Sequence, residues 1–321
     1  MSKSRTAIAV LLIIVAALWL LTPAKLQPAI EVLVLPDDLE TWLQQTEERA
    51  ADRYGLVPGT EKRITWFGEH GPTPYSVLYL HGFSATRQET APLAEMVATS
   101  LGANLYETRL TGHGREREQL AGVRAEDWLQ DAVEALTIAA RLGERVIVIG
   151  TSTGATLAAA VLGHPAMDAV DTLVMISPNF APRDTNALWL TRPAGPLIAK
   201  MLVGDTRSWE PHNEQQGRYW STSYPTTSAI EMMRLVGLAN RHMPAAIKPR
   251  LLMFYSSRDA VIAPAAALAV FQQTGAPQKA AVEINDVGDP SHHVLAGDIL
   301  SGPTTQQIAD DIVEFILRPS L

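Results

Sequence analysis

The stretch from Arg145 to Ala155, RVIVIGTSTGA, constrains the fold more than any other part of the 321-residue chain. Its continuous apolar run, typical of a strand covered on both sheet faces, is followed at once by the helix-like segment TLAAAVLG. Ser152 lies at the turn between Gly150 and Gly154. In such a turn the serine backbone is strained, and the neighbours must be small because strand and helix crowd them. The pattern predicts a nucleophilic serine at a helix N-terminus, where the Thr153 N–H can donate to an oxyanion.

Strands and helices alternate along most of the chain after about residue 60. The predicted strands lie in KRITWFG, SVLYLHGF, ANLYETRL, RVIVIG, TLVMIS, RLLMFYS and KAAVEIN, and the clearest helices in LETWLQQTEERAADRYG, TAPLAEMVATSLG and AEDWLQDAVEALTIAARLG. Alternation of this kind, with strands apolar throughout, indicates an α/β fold with a mostly parallel central sheet flanked by helices. We assign residues 61–321 to this domain.

One segment, about residues 178–249, interrupts the alternation. It has no clear strand and is rich in Pro, Trp and Met. Some seventy residues are too many for a plain loop in a compact domain, so we expect a helical lid inserted between two strands. Its Trp, Met and Leu side chains either line an apolar pocket or pack the lid onto the core.

The N-terminal residues have the pattern of a targeting segment. Lys3 and Arg5 precede an uncharged apolar run from Ala7 to Leu21, at the short end of membrane spans and the long end of signal-peptide cores. We expect residues 1–24 to be a single-pass anchor in the inner (cytoplasmic) membrane, with the remainder exported because the basic residues stay inside. The alternative is a secreted or periplasmic protein after signal cleavage. Residues 25–60 are assigned to a linker and a short helix.

Composition excludes several functions. The net charge of −8 and the lack of a basic stripe argue against nucleic acid as a partner. The chain has no cysteine, which excludes disulfides, thiolate metal sites and a thiol nucleophile. No zinc-ligand spacing or phosphate-binding loop is found, so we expect neither a metal nor a cofactor.

A serine nucleophile needs a base, which in turn needs an orienting acid, and after this type of turn the chain order is Ser, acid, His. Asp259 follows the predicted strand RLLMFYS and precedes Pro264, which makes it the candidate acid. A helix-capping role fits it poorly because the next helix starts about five residues later. Asp286 and Asp289 are weaker rivals, since they lie close to the histidines and follow no comparable strand.

Two adjacent histidines are candidates for the base. His292 and His293 lie in the loop DVGDPSHHVLAGD, after the last predicted strand. Spacing alone cannot separate them.

The motifs YLHGFSAT, TRLTGHG, VIVIGTSTG, FYSSRDAVIAP and SHHVLAGD, in this order, resemble the α/β-hydrolase fold and its bacterial carboxylesterase and monoacylglycerol-lipase-like branch. The resemblance covers Ile64 to Leu317 apart from the lid. It implies that the Phe83 backbone N–H is the second oxyanion donor, that His81 and His113 are structural, and that His293, which directly precedes Val, is the base. Both variable positions of the elbow are Thr where relatives often have bulkier residues, so the acyl side of the pocket is expected to differ.

These features predict a serine hydrolase that cleaves carboxylic esters through an acyl-enzyme, with Ser152, Asp259 and His293 as the catalytic triad. The lid and the N-terminal segment favour an apolar, lipid-like ester such as a monoacylglycerol or lysophospholipid. A thioesterase, acyltransferase or peptidase could use the same triad. A membrane-tethered binding protein without activity is the alternative from another class.

Overall fold

The computed structural model describes residues 26, 30–31, 33–243 and 247–318. The predicted anchor or signal segment at 1–24 lies outside these residues. Within the described ranges, no helix combines the length and the apolar character that crossing a bilayer requires.

Most of the described strands form one seven-stranded sheet. Its members are β1 (Arg63–Thr65), β2 (Thr73–Leu80), β3 (Asn104–Glu107), β4 (Gly143–Thr151), β5 (Val170–Ile176), β8 (Arg250–Tyr255) and β9 (Lys279–Glu283). The spatial order is β1-β3-β2-β4-β5-β8-β9, and only β1 runs antiparallel to its neighbour. The predicted mostly parallel sheet is therefore confirmed.

Helices connect the strands and cover both faces of the sheet. They are α1 (Leu39–Tyr54), α2 (Leu93–Leu101), α3 (Ala125–Leu142), α4 (Thr153–Ala160), α5 (Gly195–Val203), α6 (Glu214–Tyr219), α7 (Thr226–His242), α8 (Pro264–Gln273) and α9 (Gly302–Leu317). The Asp38 side chain caps α1 by accepting the Thr41 N–H at 3.0 Å. Gly55 and Gly143, the last residues of two of the predicted helical segments, are the C-cap residues of α1 and α3.

The core lies on both sides of the sheet. Val77 and Tyr79 of β2 pack on one side with α2 and α9, and Leu78 and Leu80 pack on the other with α3, α4 and α7. Burial of both faces explains why the central strands are apolar throughout. Polar chemistry is thus confined to the ends of the strands, and in parallel sheets the loops at the carboxyl ends form the usual site.

The insertion between β5 and β8 is mostly helical, with α5, α6, α7 and a 3₁₀ segment at Thr185–Thr191. It also contains an antiparallel pair of strands, β6 (Thr206–Ser208) and β7 (Ser223–Pro225). The expectation that this segment has no strand is therefore wrong. Three-residue strands with the sequences TRS and SYP carry too little alternation to be recognised.

Candidate active site

The turn between β4 and α4 holds Ser152 in a backbone conformation that is rare outside glycine, with φ of 50° and ψ of −112°. Such strain costs about 1–3 kcal/mol and persists only where the surroundings enforce it. A Cβ on Gly154 would lie 2.0 Å from the Leu80 carbonyl oxygen, and one on Gly150 would lie 2.7 Å from the Ala155 nitrogen. Both glycines are therefore required by contact between strand and helix.

Ser152 is attached to the carboxyl end of the sheet. Its N–H donates to the carbonyl of Ile176, the last residue of β5, at 2.8 Å. Its own carbonyl accepts the first helical bond of α4 from the Thr156 N–H at 3.1 Å. The Thr153 N–H belongs to the first turn of α4, where backbone donors have no helical acceptor. The Ser152 hydroxyl makes no hydrogen bond to another described residue and is therefore available to a substrate or a base.

Asp259 and His293 meet although they are 34 residues apart in the chain. The Nδ1 of His293 lies 2.7 Å from Oδ2 of Asp259, and both side chains are buried. The other carboxylate oxygen of Asp259 accepts the N–H groups of Val261 and Ile262 at 2.8 and 2.9 Å. These bonds hold the carboxylate as an acceptor for His293 Nδ1–H, which leaves Nε2 to act as a base.

A second carboxylate shapes the loop that carries His293. Asp289 accepts the N–H groups of Ser291, His293 and Val294 at 3.0, 2.9 and 2.8 Å. The Ser177 hydroxyl, directly after β5, donates to the His293 carbonyl at 2.7 Å. Since Ser152 is bonded to the residue before Ser177, the histidine loop and the serine turn are fixed to the same strand end.

The structure brings His293, and not His292, to Asp259. His292 has φ of 53°, and its Nδ1 is buried without a hydrogen-bond partner among the described residues. Of the rival acids, Asp286 is exposed, and Asp289 bonds the backbone of the histidine loop. Spacing left the two histidines equivalent because the choice depends on how the loop turns in space, and the contact with Asp259 is made by His293, the histidine that the family resemblance favours.

Electrostatics favour a cationic His293. Burial by itself would lower the pKa of this imidazole, but the carboxylates of Asp259, Glu89 and Asp289 outweigh it and hold the pKa above the ordinary 6.5. The imidazolium that forms when His293 takes a proton is thus stabilised by its surroundings.

The turn after β2, residues 81–84, lies beside this cluster and is here named the oxyanion turn. Its Phe83 N–H makes no hydrogen bond to another described residue. His81 Nε2 accepts the Leu110 N–H at 3.0 Å and its Nδ1–H donates to the Gly82 carbonyl at 2.9 Å. His113 Nε2 accepts the Ser84 N–H at 3.1 Å. Both histidines thus act as neutral acceptors for backbone N–H groups.

Burial keeps these two histidines neutral. It lowers the pKa of His81 to about 4 and that of His113 well below its usual value. Their hydrogen-bond partners are all backbone groups, so the structure gives them a part in shaping the turn.

The insertion packs onto the oxyanion turn. The Phe83 ring lies edge-on to Tyr224 of β7, with ring centroids 5.0 Å apart, and the Ser221 N–H donates to the Ser84 carbonyl at 2.7 Å. Within the insertion, Asn179 near its start reaches α7, with its Nδ2 3.2 Å from Met232 Sδ.

Two polar atoms close to Ser152 have unused hydrogen-bonding capacity. Thr153 Oγ1 and Asn179 Oδ1 are buried and lack a partner among the described residues. Asn179 adjoins the serine turn through its N–H, which lies 3.4 Å from the Ser152 carbonyl. Among the described residues, no three His, Asp or Glu side chains lie close enough together to hold a metal ion.

Sequence reasoning missed three residues that organise this region. Ser177 and Asp289 anchor the histidine loop, and Glu89 accepts the Gly82 N–H at 2.7 Å. Ser and Asp are common in loops, and nothing in their spacing indicates which backbone N–H or carbonyl they reach. The only local signal is a carboxylate seven residues beyond Gly82, in a segment that folds back on the turn as a 3₁₀ helix, Arg87–Glu89.

Comparison with known proteins agrees with this architecture. A family model described as serine aminopeptidase, S33, matches residues 72–288, more than half of the chain; the match includes Ser152 and Asp259 and ends before His293. The thermostable monoacylglycerol lipase of Bacillus sp. (strain H-257) is 26% identical over 248 residues, which cover 77% of this chain and 92% of that protein.

Solved structures show the same fold. A structure from work on LipS and LipT, two metagenome-derived lipolytic enzymes, matches with a TM-score of 0.64 and 21% identity, over 81% of this chain and 98% of that one. The monoacylglycerol lipase of Paleococcus ferrophilus matches with a TM-score of 0.58 and 16% identity, over 79% and 97%. A soluble variant of the monoglyceride lipase of Saccharomyces cerevisiae matches with a TM-score of 0.59 and 10% identity, over 91% and 98%.

Proposed function

The chain belongs to the α/β-hydrolase family described as serine aminopeptidase, S33, and on this premise we propose that it is a serine hydrolase that cleaves carboxylic esters of monoacylglycerol-like lipids. The observation that carries the proposal is the buried 2.7 Å bond between Asp259 and His293, held at the same strand end as the strained Ser152.

In the proposed reaction, the Ser152 oxygen attacks the ester carbonyl while His293 Nε2 takes its proton. The carbonyl oxygen becomes an oxyanion, and on collapse the C–O bond to the alcohol breaks as His293 returns the proton to the leaving oxygen. A water molecule then repeats the sequence on the acyl-enzyme and releases the fatty acid. Asp259 fixes the tautomer of His293 and stabilises its cation throughout.

Two backbone N–H groups support the assignment of the oxyanion hole. No described residue accepts the Phe83 N–H of the oxyanion turn or the Thr153 N–H at the start of α4, so both can donate to an oxyanion. Removal of one such donor in enzymes of this chemistry raises the barrier by about 3–4 kcal/mol.

A lipid-like substrate is supported by the named relative and by the surface of the insertion. The 3₁₀ segment Thr185–Thr191 and α5 expose a cluster of apolar side chains, here named the apolar cap: Leu188, Trp189, Leu197, Ile198, Met201, Leu202 and Val203. Met201 and Leu202 are 77% and 81% exposed. Exposed apolar clusters of this kind are typical of surfaces that meet lipids or proteins, which favours an insertion that acts as a lid for lipid substrates.

An aminopeptidase role, as the family description names it, fits the site less well. Such an enzyme needs a carboxylate for the substrate's amino group. The carboxylates of Asp259, Glu89 and Asp289 act on the pKa of His293, and each already accepts backbone N–H groups, so none of these three is free to bind an amino group. We therefore do not extend the aminopeptidase activity in the family's description to this chain.

The test uses Ser152→Ala with p-nitrophenyl esters and a fluorophosphonate probe. We expect turnover to fall by about 10⁶-fold, as when other serine triads lose the nucleophile, and labelling to disappear. Near wild-type turnover in the variant would end the proposal. A series of acyl chain lengths then tests the substrate class, because a preference for acetyl over octanoyl esters would remove the lipid substrate.

For the location, we propose an inner-membrane anchor at residues 1–24 with the hydrolase domain on the exported side, or secretion after cleavage of this segment. The support is Lys3 and Arg5 before the uncharged run from Ala7 to Leu21. Fractionation of cells that express the full chain is the test. Recovery with the cytoplasmic soluble fraction would contradict both forms of the proposal.

A further inference from the structure

Three consecutive N–H groups of the oxyanion turn differ in their partners. The Gly82 N–H donates to Glu89 Oε2 at 2.7 Å, and the Ser84 N–H donates to His113 Nε2 at 3.1 Å. Phe83, between them, has an N–H that no described residue accepts. The peptide that carries the unused donor is therefore held from both sides by side chains.

Glu89 is an unusual residue for a purely structural bond. It is 2% exposed, and no Lys, Arg or His of the described residues lies within ion-pair distance of it. Burial raises the pKa of this carboxyl to about 7. The charge of His293 offsets this effect only in part, so a buried acid at this position costs stability that a neutral acceptor of the same N–H would not.

Glu89 also reaches the serine turn. The Tyr79 hydroxyl lies 3.1 Å from Glu89 Oε2 and 3.3 Å from the hydroxyl of Thr151, the residue before Ser152. The three side chains of this row, Glu89, Tyr79 and Thr151, are at least nine-tenths buried. The two hydroxyl groups can donate in sequence, with the Thr151 hydroxyl donating to Tyr79 and the Tyr79 hydroxyl donating to Glu89.

The fit around Glu89 is tight. A Cβ on Gly82 would lie 2.7 Å from Glu89 Oε1, so the carboxylate fills the space beside the glycine. With little free volume, the turn has few alternative positions while Glu89 is in place.

We propose that Glu89 is a positioning residue of the oxyanion hole, which fixes the Phe83 N–H through Gly82 and sets it relative to the Thr153 N–H through Tyr79 and Thr151. The inference rests on the proposed function of the site. Glu89 touches neither substrate nor reacting atoms, and acts by keeping two backbone donors in convergent positions before the charge develops.

The test compares Glu89→Ala with Glu89→Gln, whose amide oxygen can still accept the Gly82 N–H. We expect Glu89→Ala to lower kcat by about 100-fold, the loss typical of one oxyanion donor, with KM within about threefold of wild type. Glu89→Gln should stay within about tenfold of wild type. Binding of a trifluoromethyl ketone, whose serine adduct has an oxyanion, should weaken in parallel with kcat.

The matched control is Glu47→Gln. Glu47 is another buried carboxylate that accepts a backbone N–H, that of Lys62 at 3.1 Å, but it pairs with Arg109 and makes no hydrogen bond to a described residue of the oxyanion turn. We expect this variant to melt at a lower temperature and to keep its kcat.

An unchanged kcat in Glu89→Ala, or a Glu89→Gln variant as impaired as Glu89→Ala, would overturn the proposal. If Glu89→Ala does not fold, Tyr79→Phe tests the proposal instead. This variant keeps the hydrogen bond from the Gly82 N–H to Glu89 and removes the hydroxyl that joins Glu89 to Thr151. We expect it to lower kcat by about tenfold. Full activity in Tyr79→Phe would then overturn the link. A wild-type chain that neither cleaves esters nor reacts with a fluorophosphonate removes both proposals, whereas an active wild type with an active Glu89→Ala removes only this one.

Discussion

Replacement of Asp259 by Asn tests the proposed triad through the contact between Asp259 Oδ2 and His293 Nδ1. In the wild-type site, one carboxylate oxygen accepts the N–H groups of Val261 and Ile262, and the other lies 2.7 Å from His293 Nδ1. Only the amide oxygen of an asparagine can face two N–H donors. The amide nitrogen must therefore point at His293, where it donates to Nδ1.

This orientation reverses the tautomer of the base. When Nδ1 accepts from the amide, the single proton of the neutral imidazole moves to Nε2, and Nε2 can no longer take the proton of Ser152. In a serine protease the corresponding change lowers kcat by about 10⁴-fold. We expect a similar loss here, which equals about 5.5 kcal/mol at about 1.36 kcal/mol per tenfold. Asp259 is 1% exposed, so bulk water has no access to replace the lost acceptor.

The assay is kcat on a p-nitrophenyl ester beside a melting curve. Because Asn has the same shape and keeps both backbone bonds, we expect the variant to fold and to melt close to wild type. Asp286→Asn is the matched control, since Asp286 is exposed and makes no hydrogen bond to another described residue, and its activity should be unchanged. An Asp259→Asn enzyme within about tenfold of wild-type kcat would refute the assignment of the acid and the tautomer argument together.

Three further outcomes are expected. Because the pKa of His293 is held above 6.5 and the base must be neutral, kcat/KM should fall as the pH drops through a value above 6.5, and a midpoint at or below 6.5 would contradict this. Gly154→Ala places a methyl group 2.0 Å from the carbonyl oxygen that ends β2 and should cost about 1–3 kcal/mol or more in unfolding experiments; Gly71→Ala, which meets nothing within 4 Å, is the control. A Met201→Ser, Leu202→Ser double variant should lose activity on monoacylglycerol micelles and keep it on a soluble short-chain ester. Equal activity on micelles would remove the apolar cap from the lipid proposal.

Much of the fold could be predicted from local patterns. The continuous apolar runs of β2, β4, β5 and β8 follow from burial of both sheet faces, and the predicted helical segment AEDWLQDAVEALTIAARLG corresponds to α3 with its C-cap Gly143. The short strands β6 and β7 escaped prediction because three residues cannot display a period. The membrane segment at 1–24 stays a prediction, since it lies outside the described residues.

The residues of the candidate site could be predicted from the sequence to very different degrees. For Ser152 the local sequence was enough to place a strained turn, because the pattern of an apolar strand, two glycines around a serine and a helix lies within a dozen residues, although the contact that requires Gly154 is with Leu80 of β2. For His293 it was not, since His292 has the same chemistry and an adjacent position. The positive φ of His292, the N–H bonds to Asp289 and the hydroxyl of Ser177 together select which imidazole reaches Asp259.

The sequence alone determined the succession of strands in the central sheet, the α/β class and the serine turn, because periodicity and backbone sterics act over a few residues. Only the tertiary structure decided which histidine meets the acid, that burial keeps His81 and His113 neutral where they bond the backbone, and that Glu89 holds Gly82. These pairings join distant segments whose direction and burial are set by the packing of the whole sheet and its helices, and no local pattern encodes them.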